Sequence, residues 1–325
     1  MNVTVYSHFR CIGFIFLLQC LTDNTPVIAK AGQKAPFALL PSSTGPAEIR
    51  PSTPFSMSKP ETTSAKPRIH AEVGRYRLRL AIGPEDREAA CRLRFRVFNI
   101  ELGEGLESSY ETGIDTDHFD VFCEHLLVED KNDRRVVGTY RMQSGTTAAQ
   151  NLGYYSAQEF EFAPYEPLRR DILELGRASI DREHRTPEVL TLLWRGIAQY
   201  ANDMGLRYLI GCSSLNSKDP AEGWRMYREI DRYRVSPEFE TVPTRAYVCP
   251  NEQPVEETQQ SSDQESSAMP TKVPKLLKTY LTIGARICAP PAWDREFGTI
   301  DFLTLLDLKM LSSAARNRFL APLSQ

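Results

Sequence analysis

Two short constellations in this chain have the residue types and spacing to do chemistry. The first is Asp115-x-Asp117-x-x-Asp120, placed just after a glycine-rich segment. Carboxylates packed this densely in a loop either make a cation-attracting pocket, suited to an amino group or a metal, or a solvated acidic loop. The second is Glu174-Leu175-Gly176-Arg177, set within an otherwise apolar run. Alternation along a strand puts Glu174 and Gly176 on one face and Arg177 on the other, unless the strand bulges. A carboxylate in a buried strand must be paired, with Arg177 as the obvious structural partner, or have its pKa raised toward the range of a general base.

Other chemistries are weaker. There is no Gly-x-Ser-x-Gly, and the histidines at 8, 70, 118, 125 and 184 suggest no triad. Neither a Rossmann glycine fingerprint nor a Walker loop is present. His118, Cys123 and His125 have a spacing compatible with metal binding, but no fourth ligand is evident, and a strand-entry segment with surface histidines is the simpler reading. Cys212, in Gly211-Cys212-Ser213-Ser214, is either a reactive thiol or, as is commoner at the end of a buried strand, a packing residue.

These residues need elements to position them. Tyr76 to Ile82 alternates strictly, with Tyr76, Leu78, Leu80 and Ile82 on one face, which predicts a half-buried strand. Pro84 suits the first turn of a helix running toward Glu101, with Leu93, Val97 and Ile100 at helical spacing. His125–Glu129 and Arg135–Met142 are apolar runs joined by a polar turn, a hairpin signature. Leu173–Ile180 is a fourth strand, in which Gly176 suggests a bulge or a close approach. Pro187 opens an amphipathic helix carrying Val189, Leu193, Ile197, Tyr200 and Met204, and Gly205 sits at its C-cap. Arg207–Cys212 reads as a buried strand, Pro220–Ile230 as a helix and Phe302–Leu308 as a late strand. This order implies an α/β or α+β domain built on a mixed sheet.

The ends differ from the middle. Residues 1–68 contain eight prolines among Ser, Thr, Ala and Lys, a composition that predicts a disordered extension. Cys11–Leu21 looks like the apolar part of a secretory signal, but Arg10 is the only clear positive charge before it and the nearest small-x-small site, Ala29-Lys30-Ala31, is distant. A short apolar tail or a start assigned too far upstream accounts for it better. Residues 250–272 are a low-complexity acidic linker. The expected domain is therefore 69–249, completed by 273–325. No window reaches the ~18 consecutive apolar residues of a membrane span. With 39 basic and 42 acidic residues there is no global attraction to nucleic acid. Seven scattered cysteines without a Cys-x-x-Cys argue for reduced thiols and against a zinc site.

Several motifs in one order resemble the bacterial ornithine-lipid N-acyltransferases, often labelled hemolysin-like, a branch of the GNAT acyltransferase fold. They are Leu93-Arg94-Phe95-Arg96-Val97-Phe98, Asp115–Asp120, Cys123-Glu124-His125-Leu126-Leu127-Val128, Val137-Gly138-Thr139-Tyr140-Arg141 and Glu174-Leu175-Gly176-Arg177. The likeness continues through Leu193–Ile197, Tyr208–Cys212, Leu276–Leu281, Pro291–Asp294 and Asp301–Asp307, covering about residues 76–320. It implies a mixed sheet flanked by helices. It also implies transfer of a 3-hydroxy fatty acyl group from acyl carrier protein to the α-amino group of ornithine. Related acyl-homoserine-lactone synthases share an acidic loop, an arginine on the third strand and a Glu-x-x-Arg on the fourth. Those features fall here on Asp115, Asp117, Asp120, Arg141, Glu174 and Arg177.

On that resemblance, Glu174 is the expected base and Arg177 orients it or the acidic loop. Asp115, Asp117 and Asp120 would hold the cationic amino acid, Arg141 or Arg96 its carboxylate, and Tyr227 is a candidate acid for the leaving thiolate. The fourth strand, loosened near Gly176, would offer a backbone N–H to the oxyanion. No permanent cofactor or metal is expected; the co-substrate is the acyl-phosphopantetheine of acyl carrier protein. Users of acetyl-CoA carry a glycine-rich loop that cradles pyrophosphate. Here that stretch is Arg185-Thr186-Pro187-Glu188, without glycine, short of an N–H and with an added negative charge. Arg169, Arg170, Arg225, Arg228, Arg232 and Arg234 could dock the acidic carrier. The enzyme is expected in the cytoplasm, with peripheral contact at the inner membrane. Competing readings are a lactone signal synthase using S-adenosylmethionine, a GNAT enzyme acting on another amine, and a non-catalytic membrane-associated protein.

Overall fold

The computed structural model describes residues 67–251, 273, 275–311 and 313–319. The proline-rich extension up to residue 66, its apolar stretch, and the acidic linker from residue 252 to 272 lie outside the described residues.

A nine-stranded mixed sheet organises the rest. Its strands are β1 (His70–Val73), β2 (Tyr76–Leu80), β3 (Glu124–Asp130), β4 (Arg135–Ser144), β5 (Ile172–Ile180), β6 (Tyr208–Leu215), β7 (Arg286–Ile287), β8 (Ala292–Asp294) and β9 (Thr299–Asp307). The spatial order is β1-β2-β3-β4-β5-β6-β9-β7, with β8 also pairing β9. Neighbours are antiparallel except β5 and β6, which are parallel and joined by helix α4 (Pro187–Asp203) in the crossover such a pair requires; the short helices α2 (Ser109–Thr112) and α3 (Gly145–Gln150) come earlier in the chain. The strands expected over 76–82, 125–129, 135–142, 173–180, 207–212 and 302–308 all form. The short strands β1, β7 and β8 are too brief to show a period in the sequence.

Helices cover both faces. The helix expected from Pro84 is α1 (Pro84–Phe95), which continues as a π-helical turn over Arg96–Leu102. Its Ala90, Leu93 and Val97 pack on Leu127 and Val136. On the other face lies α4, which runs from Pro187 to Asp203. Thr186 caps it by accepting the Val189 N–H, and Gly205 follows its end in the left-handed conformation that a non-glycine residue rarely adopts. Val189, Leu193, Ile197 and Ala201 are buried against Leu78, Leu126, Tyr140 and Leu175. Close approach depends on Gly196: a Cβ there would lie 2.9 Å from methyl groups of both Leu78 and Leu126. Helix α5 (Pro220–Glu229) follows β6, and α6 (Lys275–Ile283) precedes β7. No helix among the described residues is long and apolar enough to cross a membrane.

Two irregularities in β5 open the centre of the sheet. Arg141 pairs with Gly176 and Thr139 with Ser179, so Arg177 and Ala178 together oppose Tyr140 alone. This is a β-bulge, and Arg177 adopts φ +50° within it. On the opposite edge, the pairing of β5 with β6 stops at Glu174 and Ile210, and beyond that point the two strands part.

Replacing Leu193, which has no exposed surface, with alanine is expected to cost about 2–5 kcal/mol in equilibrium urea unfolding. A loss under about 1 kcal/mol would contradict the packing of α4 against the sheet.

Candidate active site

The parting of β5 and β6 opens a pocket of about 610 Å³ of empty space, part of it open to solvent. Two-residue alternation brings Arg141 of β4, Glu174 and Gly176 of β5, and Cys212 and Ser214 of β6 onto its wall. The bulge turns Arg177 onto the same wall, which strict alternation would have forbidden. A Cβ added at Gly176 would meet nothing within 4 Å, so the backbone there faces open space.

Glu174 is buried, and its partner is not Arg177. Its two carboxylate oxygens accept the backbone N–H groups of Tyr155 (2.9 Å) and Ser156 (2.8 Å), at the start of a 3-10 turn over Tyr155–Gln158. Burial pushes its carboxyl above the usual range, and the two N–H bonds oppose this without cancelling it. Each oxygen keeps a lone pair for an incoming proton.

Arg177 reaches away to Asp117 (3.4 Å) and the Tyr155 hydroxyl (3.3 Å). Its guanidinium lies between the Tyr155 and Phe297 rings, 5.1 and 4.5 Å from their centres. Arg141 donates to both oxygens of Asp117 at 2.6 and 2.7 Å, and to Asp120 at 3.1 Å.

The acidic loop is consequently not an open cation pocket. Arg94 of α1 is buried beneath it, donating from Nε to Asp115 at 2.7 Å and from Nη1 to Asp120 at 2.6 Å. Asp115 and Asp120 have at most 1% of their surface exposed and face the protein's own guanidinium groups, which corrects the expectation that they hold the substrate. Burial alone would raise the Asp120 carboxyl, but Arg94 and then Arg141 hold it well below the usual range. Arg141, expected to meet a substrate carboxylate, is already committed to Asp117 and Asp120.

The structure does not bring Arg96 or Tyr227 to the cavity. Arg96 is half exposed, 3.7 Å from Asp181, and Tyr227 packs edge-on against Trp224 on α5. His125 is buried with Nε2 3.1 Å from the Asp120 carbonyl, and desolvation lowers its pKa to about 4; Cys123, on the cavity wall, donates to Gln143. The Cys212 thiol lines the cavity, but burial and then Glu159 push it well above the usual range, which keeps it a thiol.

Sequence reasoning missed two groups. Arg94 carried a signal, since it falls on the apolar face of α1 with Ala90 and Val97, where a lone guanidinium requires buried carboxylates. Glu159, Asp294 and Asp301 also line the cavity. Asp301 stands in an otherwise apolar strand, the pattern that singled out Glu174.

A family model described as the acetyltransferase (GNAT) domain matches residues 93–195, which spans α1 to α4 and both signature motifs. The chain is an acyltransferase of the GNAT fold. It is 31% identical over 271 residues to an L-ornithine N(alpha)-acyltransferase of Brucella abortus, covering 77% of this chain and 93% of the relative. A relative of the same name from Rhodobacter capsulatus is 28% identical over 247 residues, 74% of this chain and 93% of its own. The chain belongs to the L-ornithine N(alpha)-acyltransferase family. Among solved structures, FeeM, an N-acyl amino acid synthase from uncultured soil microbes, matches 74% of this chain and 97% of its own at 13% identity and a TM-score of 0.41.

Arg94→Met leaves Asp115 with no charged partner and Asp120 with Arg141 alone, and should cost about 3–5 kcal/mol at neutral pH. Arg94 holds the Asp120 carboxyl below its unfolded value, a contribution that is full at neutral pH and lost below about pH 4, so the deficit should shrink as pH falls from 7 to 3. Urea unfolding at both pH values checks this; a deficit that grows on acidification contradicts the charge account.

Proposed function

We propose that this acyltransferase moves a 3-hydroxy fatty acyl group from the phosphopantetheine thioester of acyl carrier protein to the α-amino group of ornithine, giving a lyso-ornithine lipid. The observation that carries the reading is the shared cavity: a buried carboxylate with a raised pKa stands beside the strand edge that β6 leaves unpaired. Glu174, directly or through a water, takes a proton from the α-ammonium. The freed nitrogen attacks the thioester carbon, and the oxyanion that forms is met by backbone N–H groups of β5 past Glu174. The C–S bond breaks and the amide forms; the thiolate leaves with the proton Glu174 had taken, and Glu174, ionised again, accepts the second proton the nitrogen gives up and passes it to solvent. Arg177, whose Nε has no hydrogen-bond partner among the described residues, faces the substrate's carboxylate.

The start of α4 supports a carrier-protein donor over a CoA pyrophosphate. Pro187 removes one N–H, Thr186 takes the Val189 N–H, and Arg185 is paired with Glu101 at 2.7 Å. Three arginines at the surface, Arg170, Arg228 and Arg232, fit an acidic carrier, whereas Arg169, Arg225 and Arg234 each sit beside local carboxylates. A carrier-protein donor places the reaction in the cytoplasm.

Mass spectrometry of lipids from a heterologous host expressing the full chain tests the reading. An amide-linked 3-hydroxyacyl ornithine supports it, and folded protein that leaves acyl-carrier thioester untouched overturns it. Glu174→Gln should lower kcat by about 10²–10⁴-fold. A purely structural Glu174 would instead show as a lowered melting temperature with kcat per folded enzyme retained. Gly176→Val should keep stability within about 1 kcal/mol, because its side chain enters open space. It should lower kcat/KM by about 10- to 100-fold by displacing the thioester; full activity would place the reacting carbonyl elsewhere.

A further inference from the structure

The acidic loop was the expected cation pocket, and its carboxylates turn out to face the protein's own arginines. A second set of carboxylates in the same cavity forms no such ion pairs, although Arg177 draws the Asp294 carboxyl down from farther off. Glu159, Asp294 and Asp301 are each at most 4% exposed, and their oxygens lie within 4.8 Å of one another. None of the three is within ion-pair distance of a Lys or Arg among the described residues. Asp294 accepts the N–H groups of Glu296 (2.9 Å) and Phe297 (3.0 Å) through Oδ1. In contrast, Glu159 Oε2 and Asp301 Oδ1 are buried and meet no donor among the described residues, while the two carboxyls adjoin each other and Ser214 and Thr299 bond to Asp301. Unpartnered buried carboxylate oxygens on a cavity wall are costly unless something fills the gap.

We propose that Glu159, Asp294 and Asp301 form the subsite that receives the second, side-chain ammonium of a diamino-acid acceptor and so select a cationic over a neutral side chain. The inference rests on the amine-acylation reading above and assigns the part of the substrate that does not react. An ammonium carries three donors and no acceptor, one for each carboxylate of the trio. Burial and the neighbouring Asp294 push the Asp301 carboxyl up to about 7, and burial with Asp301 pushes the Glu159 carboxyl well above its usual range. An entering cation restores the ionised forms. The placement suits a three-point reading of a diamino acid. Glu159 follows the 3-10 turn whose first two N–H groups Glu174 binds, so the base and the trio are linked through five residues of chain. Arg177 supplies the positive wall for the carboxylate.

Calorimetry and acyl-transfer rates with ornithine and with norvaline, which has the same carbon chain but no second amine, test the proposal on the full-length protein. The wild type should bind ornithine about 10- to 100-fold more tightly than norvaline and show a similar preference in kcat/KM. Glu159→Gln and Asp301→Asn should bring the ornithine-to-norvaline ratio toward one, mainly through KM for ornithine. Equal wild-type affinity for the two amino acids overturns the subsite, and that comparison needs no variant to fold. A preference that appears only with added Mg²⁺ and vanishes with chelator also overturns it, in favour of a metal centre. If wild type prefers ornithine in binding but acylates neither amino acid, the reaction reading falls and the subsite stands. If it acylates both with equal kcat/KM, the reverse holds.

Discussion

Where β5 and β6 cease to pair decides almost everything about this site. Up to Glu174 and Ile210 the two strands satisfy each other's backbone groups; past that point those groups have no ladder partner. Parallel pairs are normally buried and closed on both faces, so an opening here must be held by something else. On one side β4 holds β5 through the bulge at Arg177, and on the other β9 pairs with the whole of β6, from Tyr208 to Leu215. The cavity is a wedge kept open by what grips its two walls.

Charge within this wedge is arranged in two different ways. At the α1 end, Arg94, Arg141 and Arg177 interleave with Asp115, Asp117 and Asp120, three positive groups against three negative. Such a buried network contributes little net stability, since desolvation offsets most of the attraction, but breaking it is costly. Its contribution is positional: it fixes Arg177 and Tyr155, and Tyr155 leads the turn that holds Glu174. At the β9 end, Glu159, Asp294 and Asp301 form no ion pair with the described residues, and Arg177 acts on Asp294 only from farther off. One half of the wedge is internally complete and the other is not.

Much of the fold was legible because its central elements are long and strongly periodic. The face of α4 is visible in Val189, Leu193 and Ile197, and the hairpin of β3 and β4 in its two apolar runs. Glu174 stood out because a carboxylate in an apolar strand demands an explanation. The acidic loop was legible as a feature but misleading in its role, because the arginine that fills it comes from a helix some twenty residues earlier. Arg141 came from the family resemblance, which says nothing of what it pairs with in this chain. The bulge at Arg177 could be named only as an alternative, since glycine at 176 permits irregularity without dictating which residue takes it. The trio escaped notice because Glu159 sits in irregular chain and its partners lie more than a hundred residues away.

The pairing of β9 with β6 also sets an order of events during synthesis. Residues 215 and 299, which end and begin these strands, are separated by the whole acidic tract and α6. A nascent chain that has emerged through α5 already carries Glu174, Arg141 and the acidic loop, yet one wall of the wedge still exposes the β6 edge. Domains fold as units while the ribosome adds about 5–20 residues per second. For several seconds, then, this intermediate presents an unpaired, apolar strand that another chain could capture. Closure by β9 both protects that edge and delivers Asp294 and Asp301, so the cavity wall is completed in the same act that covers an exposed strand edge.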